Sequence, residues 1–177
     1  MEWMLMPLKR YADFSGRSRR MEFWMWVVFQ FLIGIAFAIV LLVLGGAAMM
    51  SGDPTQLFAV GGVALILYLL YLLLALAFFI PNLAVTVRRL HDTNRSGWWI
   101  MLFWGPYLLM FLSSFVIGAS AASGGDGMAG GILGLIAMLA LAVGGITLLV
   151  FMFLEGTPGT NRYGPDPKGR DTGQVFA

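Results

Sequence analysis

Hydrophobic residues fill four long stretches of the chain, and charged residues fall only between and outside them. These stretches hold 28 to 34 residues each without a single charge, and they cover residues 23–52, 54–87, 96–125 and 127–154. A helix crosses the hydrocarbon core of a membrane with about 20 apolar residues. Strands of membrane barrels alternate apolar and polar residues, and nothing here alternates. The pattern predicts an all-α fold with four membrane-spanning helices.

We place the four spans at about residues 23–46, 59–86, 99–119 and 129–154, packed as a four-helix bundle. Residues 1–22 then form an N-terminal segment at the membrane interface. Residues 155–177 form a loop rich in Gly and Pro, ordered by consecutive turns, and a tail that we expect to fray beyond Gly169. The second span would measure about 42 Å, against a core of about 30 Å. We expect it to tilt, kink or protrude, with a bend at Pro81.

The distribution of basic residues predicts the orientation. All 11 Lys and Arg residues lie before the first span, between the second and third spans, or after the fourth span. The other two loops carry Asp53 and Asp126 and no base. Because Lys and Arg near span ends stay on the cytoplasmic side, both termini are predicted to be cytoplasmic.

Composition excludes an ordinary water-soluble protein and gives no support to an enzyme. Charged residues make up 11% of the chain, against about 25% in soluble domains. The chain has one histidine and no cysteine. His91 and Asp92 are adjacent, so on a helix their side chains diverge by about 100° instead of meeting at one metal ion. We expect no catalytic residues, metal or other cofactor, and no nucleic-acid partner.

Three polar segments share the predicted cytoplasmic side, and arginines dominate two of them. Guanidinium groups bind phosphate through paired hydrogen bonds. We therefore predict a binding site for the headgroup of an anionic phospholipid, or for an acidic segment of a partner protein, in a scaffold or binding module. Its candidate residues are Arg17, Arg20, Glu22, Arg88, Arg89, His91, Asp92, Asn161 and Tyr163. Anchoring by the positive-inside rule, with an Arg–Asp92 pair, also accounts for the segment between the second and third spans.

An oligomeric channel or carrier for a small solute is the alternative function. Transport usually requires polar or ionisable side chains at mid-bilayer depth. The predicted spans offer few, namely Gln30, Ser113, Ser114 and Thr147. The composition of the spans therefore argues against transport.

Small residues recur every three or four positions along the fourth span. They are Gly130, Gly134, Ala137, Ala140 and Gly144. Such a stripe lets a second helix approach closely. The partner is either another helix of the same bundle or a second copy of the chain in a homo-oligomer.

Three motifs resemble one bacterial family. They are F-S-G-R-x-x-R-x-E-F-W from Phe14, P-N-L-A-V-x-x-R-R-L-H-D-x-x-x-S-G-W-W from Pro81, and G-T-x-G-x-N-x-Y-G-P-x-P from Gly156. In this order they resemble the bacterial inner-membrane family known as domain of unknown function 805, over about residues 8–169. The resemblance implies a small four-span protein in a bacterial cytoplasmic membrane, and it implies no activity.

Overall fold

The computed structural model describes residues 2–170. Its helices are α1 (Glu2–Lys9), α2 (Arg20–Ser51), α3 (Pro54–Asp92), a short 3-10 helix (Gly97–Ile100), α4 (Met101–Ala122) and α5 (Met128–Phe153). Within this range the only β pairing is an isolated bridge between Asn161 and Gly164. The all-α prediction is therefore confirmed for the described residues. The fraying expected beyond Gly169 falls mainly on residues 171–177, which lie outside that range.

Four helical segments are long and apolar enough to cross a membrane, as the charge-free stretches predicted. Helices α2 and α3 extend beyond the first and second predicted spans. Helix α2 has 32 residues and α3 has 39. Helix α5, which corresponds to the fourth predicted span, ends at Phe153, one residue before the predicted end of that span. Helix α3 continues without interruption through Pro81. The bundle arrangement and the sidedness of the termini stay predictions.

The chain divides into two compact units. The first contains the described residues up to Phe14 together with Met21–Val85, and the second contains Ser15–Arg20 together with the described residues from Thr86 onward. The second unit therefore joins a short piece of the N-terminal region to the polar end of α3, to α4 and α5, and to the loop that follows α5.

In the first unit, polar side chains inside the apolar helices bond to one another. Asn82 Oδ1 accepts hydrogen bonds from Trp26 Nε1 at 2.6 Å and from Gln30 Nε2 at 2.8 Å. Asn82 Nδ2 donates in return to Gln30 Oε1 at 3.0 Å. Hydrocarbon offers polar groups no water, so such groups are stabilised by pairing within the protein. These bonds tie α2 to α3 and give Gln30 a structural role.

The N-terminal segment contacts α3 at the backbone position that Pro81 leaves open. Proline has no N–H, so the carbonyl four residues earlier, that of Ala77, lacks its helical donor. The Tyr11 hydroxyl donates a hydrogen bond to the Ala77 oxygen at 2.6 Å. A side chain far away in the sequence thus replaces the missing backbone donor, which explains how α3 accommodates a proline in its interior.

We expect Tyr11→Phe to lower the free energy of unfolding by about 1 kcal/mol, because the Ala77 carbonyl then loses its donor. Thermal unfolding in detergent measures the loss. Tyr68→Phe is the matched control, since Tyr68 is also on an exposed surface of the first unit, and no hydrogen bond of its hydroxyl occurs among the described residues.

In a Pro81→Ala background, Tyr11→Phe should lower the free energy of unfolding by less. Alanine has the backbone N–H that proline lacks, and it restores a donor to the Ala77 carbonyl. Equal losses in both backgrounds would show that Tyr11 does not act through the carbonyl that proline exposes.

In the second unit, α5 packs closely on α4 through its small residues. A Cβ at Gly130 would lie 2.9 Å from the Ile117 backbone nitrogen, and one at Gly134 would lie 3.0 Å from Ser113 Oγ. A Cβ at Gly144 would collide with the backbone carbonyl of Leu102.

Of the two remaining small residues, Ala137 is fully buried, whereas Ala140 is exposed and lies off the contact. Helix α4 of the same chain thus fills the space beside the three glycines. A second copy of the chain would have to displace α4 to use this stripe, which favours internal packing over a seam between copies.

Candidate functional site

Two arginines and two aspartates of the second unit lie together in the interior. This buried cluster consists of Arg17, Arg89, Asp92 and Asp166. Arg17 Nε donates to Asp92 Oδ1 at 3.0 Å, and Arg89 Nη1 donates to the other carboxylate oxygen. Asp166 Oδ1 lies 3.9 Å from Arg17 Nη2. No side chain of the cluster is more than 5% exposed. Asp92 therefore bridges two guanidinium groups that are withdrawn from water.

Backbone carbonyls of the loop after α5 take most of the remaining donors of these arginines. Arg17 donates to the oxygen of Gly159 at 2.6 Å and to that of Thr157. Arg89 donates to the oxygens of Met152, at 3.4 Å, and Leu154. Arg89 thus satisfies carbonyls at the end of α5, which have no partner within the helix, and Arg17 holds the loop in a fixed path.

The end of α3 is joined to the same loop by hydrogen bonds of its backbone. The Thr157 N–H donates to the Asp92 carbonyl at 2.9 Å, and Asn161 Nδ2 donates to the His91 carbonyl at 3.0 Å. Asn161 Oδ1 accepts the Tyr163 N–H at 2.9 Å. The expected series of turns is therefore an ordered structure in the described residues, and Asn161 helps to build it.

Gly156 makes the close approach of the loop to Asp92 possible. A Cβ at this position would collide with the Asp92 carboxylate. The backbone of the loop can reach the carboxylate only because residue 156 has no side chain. This explains the chemistry behind the glycine that begins the third motif.

Exposed charges surround the edge of the cluster. The hydrogen bond from Lys168, with the nearby charges of Lys168, Arg20 and Arg170, holds the pKa of Glu155 below its ordinary value. Burial would raise the pKa of Asp166, but hydrogen bonds from Arg170 and from the Lys168 backbone outweigh it and lower that pKa. Both carboxylates therefore stay ionised at neutral pH, and Asp166, whose side chain is buried, strengthens the attachment of the loop.

The structure divides the predicted site residues into groups. Arg17, Arg89 and Asp92 meet in the buried cluster, and Arg20 lies at its edge, 3.5 Å from Glu155. The side chain of Arg88 is fully buried, and its carbonyl accepts the Ser18 N–H at 3.1 Å.

Glu22 is also buried but belongs to the first unit. The guanidinium groups of Arg17 and Arg89 donate to protein acceptors, whereas they were expected to bind a phosphate. In this structure their chemistry holds the loop.

His91 and Tyr163, the remaining predicted residues, line a shallow cavity at the surface. Their rings stack at a centroid distance of 3.8 Å and an angle of 5°. The cavity has a volume of about 310 Å³, and we name it the rim pocket; its walls are His91, Ser96, Gly97, Trp98, Ile100 and Tyr163. The indole of Trp98 is 78% exposed at its edge. Arg162 lies beside it, with its guanidinium carbon 4.7 Å from the centroid of the Tyr163 ring.

Arg162 differs from the arginines of the cluster in its partners. It donates to the Asn94 carbonyl at 3.2 Å, and within the described residues no carboxylate pairs with it. Sequence reasoning used Arg162 only to determine orientation and did not connect it with Ser96 or Trp98. The signal available was the adjacency of Arg162 and Tyr163 in the sequence, since a basic residue beside an aromatic one favours cation–π contact.

The groups around the rim pocket are able to bind a ligand. Among residues 2–170 no three His, Asp or Glu side chains are grouped so as to hold a metal ion. The rim pocket presents two stacked rings, a hydroxyl and an indole, and the exposed Arg162 contacts one of its walls, Tyr163. These groups suit a phosphate-bearing ligand at the level of the membrane interface.

Comparisons with known proteins agree with the three motifs. The family described as "Protein of unknown function (DUF805)" matches residues 11–165. The chain is 34% identical to "Inner membrane protein YhaI" of Escherichia coli (strain K12), over 95% of this chain and 97% of that protein. It is 35% identical to "Inner membrane protein YhaH" of the same organism, over 95% of this chain and 98% of that protein. No solved structure matches. The resemblance is confirmed, and the chain belongs to the DUF805 family.

Proposed function

We propose that this protein is a multi-pass module of the bacterial inner membrane that binds the headgroup of an anionic phospholipid in its rim pocket. The names of the relatives from Escherichia coli support this membrane. Binding, not catalysis, is the role, and neither a metal nor another cofactor takes part. The buried cluster serves this role by fixing the loop that carries Arg162 and Tyr163.

The distribution of charge supports a cytoplasmic position for the rim pocket and both termini. Every Lys and Arg of the chain lies in the three polar segments that an even number of spans puts on one side. The cytoplasmic leaflet carries the anionic lipids, and each basic residue near its surface contributes about 1 kcal/mol of attraction. The ligand and the pocket are thus expected in the same leaflet.

The observation that carries the proposal is an exposed arginine, Arg162, in contact with a residue that lines the rim pocket. Arg17 and Arg89 are occupied by Asp92 and by loop carbonyls, so they hold the structure together. Arg162 has only a backbone oxygen and the face of Tyr163 as partners in the described part of the chain. Because the residue is exposed, its other N–H donors can reach a phosphate.

The alternative, an oligomeric channel or carrier, has no specific observation in its favour. The polar side chains inside the helices bond within the chain: Ser113 to the Met110 carbonyl, Thr147 to the Val143 carbonyl, and Gln30 to Asn82. A solute-selective flux in liposomes that contain the purified protein would favour this alternative.

Native mass spectrometry tests the headgroup site. The protein is purified in detergent and incubated with equal amounts of phosphatidylglycerol and phosphatidylcholine of identical acyl chains. We expect the wild type to retain phosphatidylglycerol preferentially. Arg162→Gln should reduce this preference about fivefold, because a direct hydrogen bond of about 1 kcal/mol from its guanidinium to the phosphate is lost.

Lys9→Gln is the control, since it removes the same charge from an exposed position at the end of α1. Its preference should stay close to that of the wild type. An equal decrease in both variants would mean that surface charge in general attracts the lipid, and the rim pocket would lose its role. Retention of acidic peptides in place of lipid would support a partner protein instead.

A further inference from the structure

The rim pocket continues into two further cavities along the start of α4. The second cavity has a volume of about 340 Å³ and shares Ser96 and Trp98 with the rim pocket. The third has a volume of about 510 Å³ and shares Met101 with the second. The walls of the third are Met101, Trp104, Gly105, Tyr107, Leu108 and Phe111. We name the second and third cavities together the α4 groove.

The character of the walls changes along this path. His91 and Ser96 provide polar atoms at the rim pocket, and the charge of Arg162 lies next to it, against Tyr163. The indoles of Trp98 and Trp99 follow, and such rings prefer the interface between headgroups and hydrocarbon. Beyond them the groove is apolar, with Leu108 and Phe111 more than half exposed. The order of charge, indole and hydrocarbon matches the order of groups along one phospholipid molecule.

The length of the groove fits one acyl chain. Its apolar part follows α4 from Met101 to Phe111, about 15 Å at 1.5 Å per residue. This is half of a hydrocarbon core of about 30 Å, the depth of a single leaflet. Helix α4 itself continues to Ala122. A membrane-spanning partner helix would cross the whole core, whereas an acyl chain occupies one leaflet.

Gly105 forms part of the floor of the groove. A Cβ at this position would meet no atom within 4 Å, so the space above it is open. The absence of a side chain on a helix surface creates a depression that an acyl chain can enter. A large side chain at residue 105 would project into the groove.

From the continuous path, its polarity and its length, we infer that the protein holds one whole glycerophospholipid molecule. The anionic headgroup lies in the rim pocket, and one acyl chain lies in the α4 groove over Gly105. This inference rests on the proposed function, because it uses the same headgroup site. It adds the chemical class of the ligand, a diacyl lipid rather than a soluble phosphate or an acidic peptide.

Gly105→Leu tests the groove, and Gly118→Leu is its matched control. Both glycines lie on α4, and a Cβ at either position meets nothing within 4 Å. Only Gly105 lines the groove. Native mass spectrometry with phosphatidylglycerol should show about threefold less retained lipid for Gly105→Leu, equivalent to about 0.7 kcal/mol. Gly118→Leu should retain as much lipid as the wild type.

A second arm adds sn-glycero-3-phosphoglycerol, the deacylated form of phosphatidylglycerol, which has the charge of the headgroup but no acyl chain. We expect it not to displace phosphatidylglycerol. Displacement, together with unchanged retention by Gly105→Leu, would overturn the inference about the acyl chain and leave the headgroup site intact. An equal loss in Gly105→Leu and Gly118→Leu would also overturn it.

Failure of the proposed function looks different. In that case the wild type would not prefer phosphatidylglycerol to phosphatidylcholine, and Arg162→Gln would change nothing. Normal thermal unfolding of both glycine variants, measured in parallel, shows that they fold.

Discussion

Asp92→Asn should destabilise the protein by about 3–5 kcal/mol, because two buried guanidinium groups then lose their shared carboxylate. Asn has nearly the same shape as Asp, so the change removes charge and leaves packing almost intact. Arg17 and Arg89 are 1% and 0% exposed and cannot turn to water. Loss of stability should be visible as a lower midpoint of thermal unfolding in detergent and as faster proteolysis of the loop after α5.

Glu155→Gln is the control for this prediction. Glu155 also faces several cations, including Lys168 at 2.7 Å, but its side chain is 57% exposed. Water replaces such a partner easily, and exposed ion pairs contribute little to stability. If Asp92→Asn were no more damaging than Glu155→Gln, the buried cluster would not be what holds the loop.

Gly144→Ala should cost about 1–3 kcal/mol, because the added methyl group collides with a backbone carbonyl and the helices must separate. The Leu102 carbonyl belongs to the rigid backbone of α4, so it cannot move aside as a flexible side chain would. Thermal unfolding in detergent again measures the effect. The distance between α4 and α5 should also increase, as reported by spin labels on the two helices.

Gly145→Ala, one residue further along α5, gives the opposite expectation. A Cβ there would lie 3.9 Å from a ring carbon of Phe103, an ordinary contact. Because Ala favours a helix over Gly by about 1 kcal/mol, this variant should be as stable as the wild type or more so. Similar behaviour of the two variants would show that α4 and α5 do not approach each other at Gly144.

The number of long helices could be predicted because a charge inside hydrocarbon is very unfavourable. A stretch without charges therefore marks each span. The ends of the helices could not be read from the same signal. Helices continue past the hydrocarbon until a backbone feature ends them, and Asn94, with a φ of 58°, comes just after the end of α3. Before the N-terminal end of α2, which begins at Arg20, Gly16 has a φ of 76°.

The sequence predicted which residues belong to the site better than it predicted which atoms they contact. Charge and motif identified Arg17, Arg89 and Asp92, but the acceptors of their donors are largely the carbonyls of residues such as Thr157 and Gly159. Every residue has a backbone carbonyl, so the residue type does not reveal which carbonyls accept hydrogen bonds from the arginines. Arg162 was missed as a site residue for the opposite reason, since its charge already had an explanation in the orientation of the chain.

The partners of Arg17 also determine when this protein can finish folding. Asp92 comes 75 residues later in the chain, and the carbonyls of Thr157 and Gly159 come 140 and 142 residues later. A ribosome must therefore synthesise all four long helices before the first arginine of the cluster meets its last acceptor. Closing so long a loop adds little entropy cost, which grows only with the logarithm of length, but it delays the event. Completion of the polar end is a late step of biogenesis, after membrane insertion.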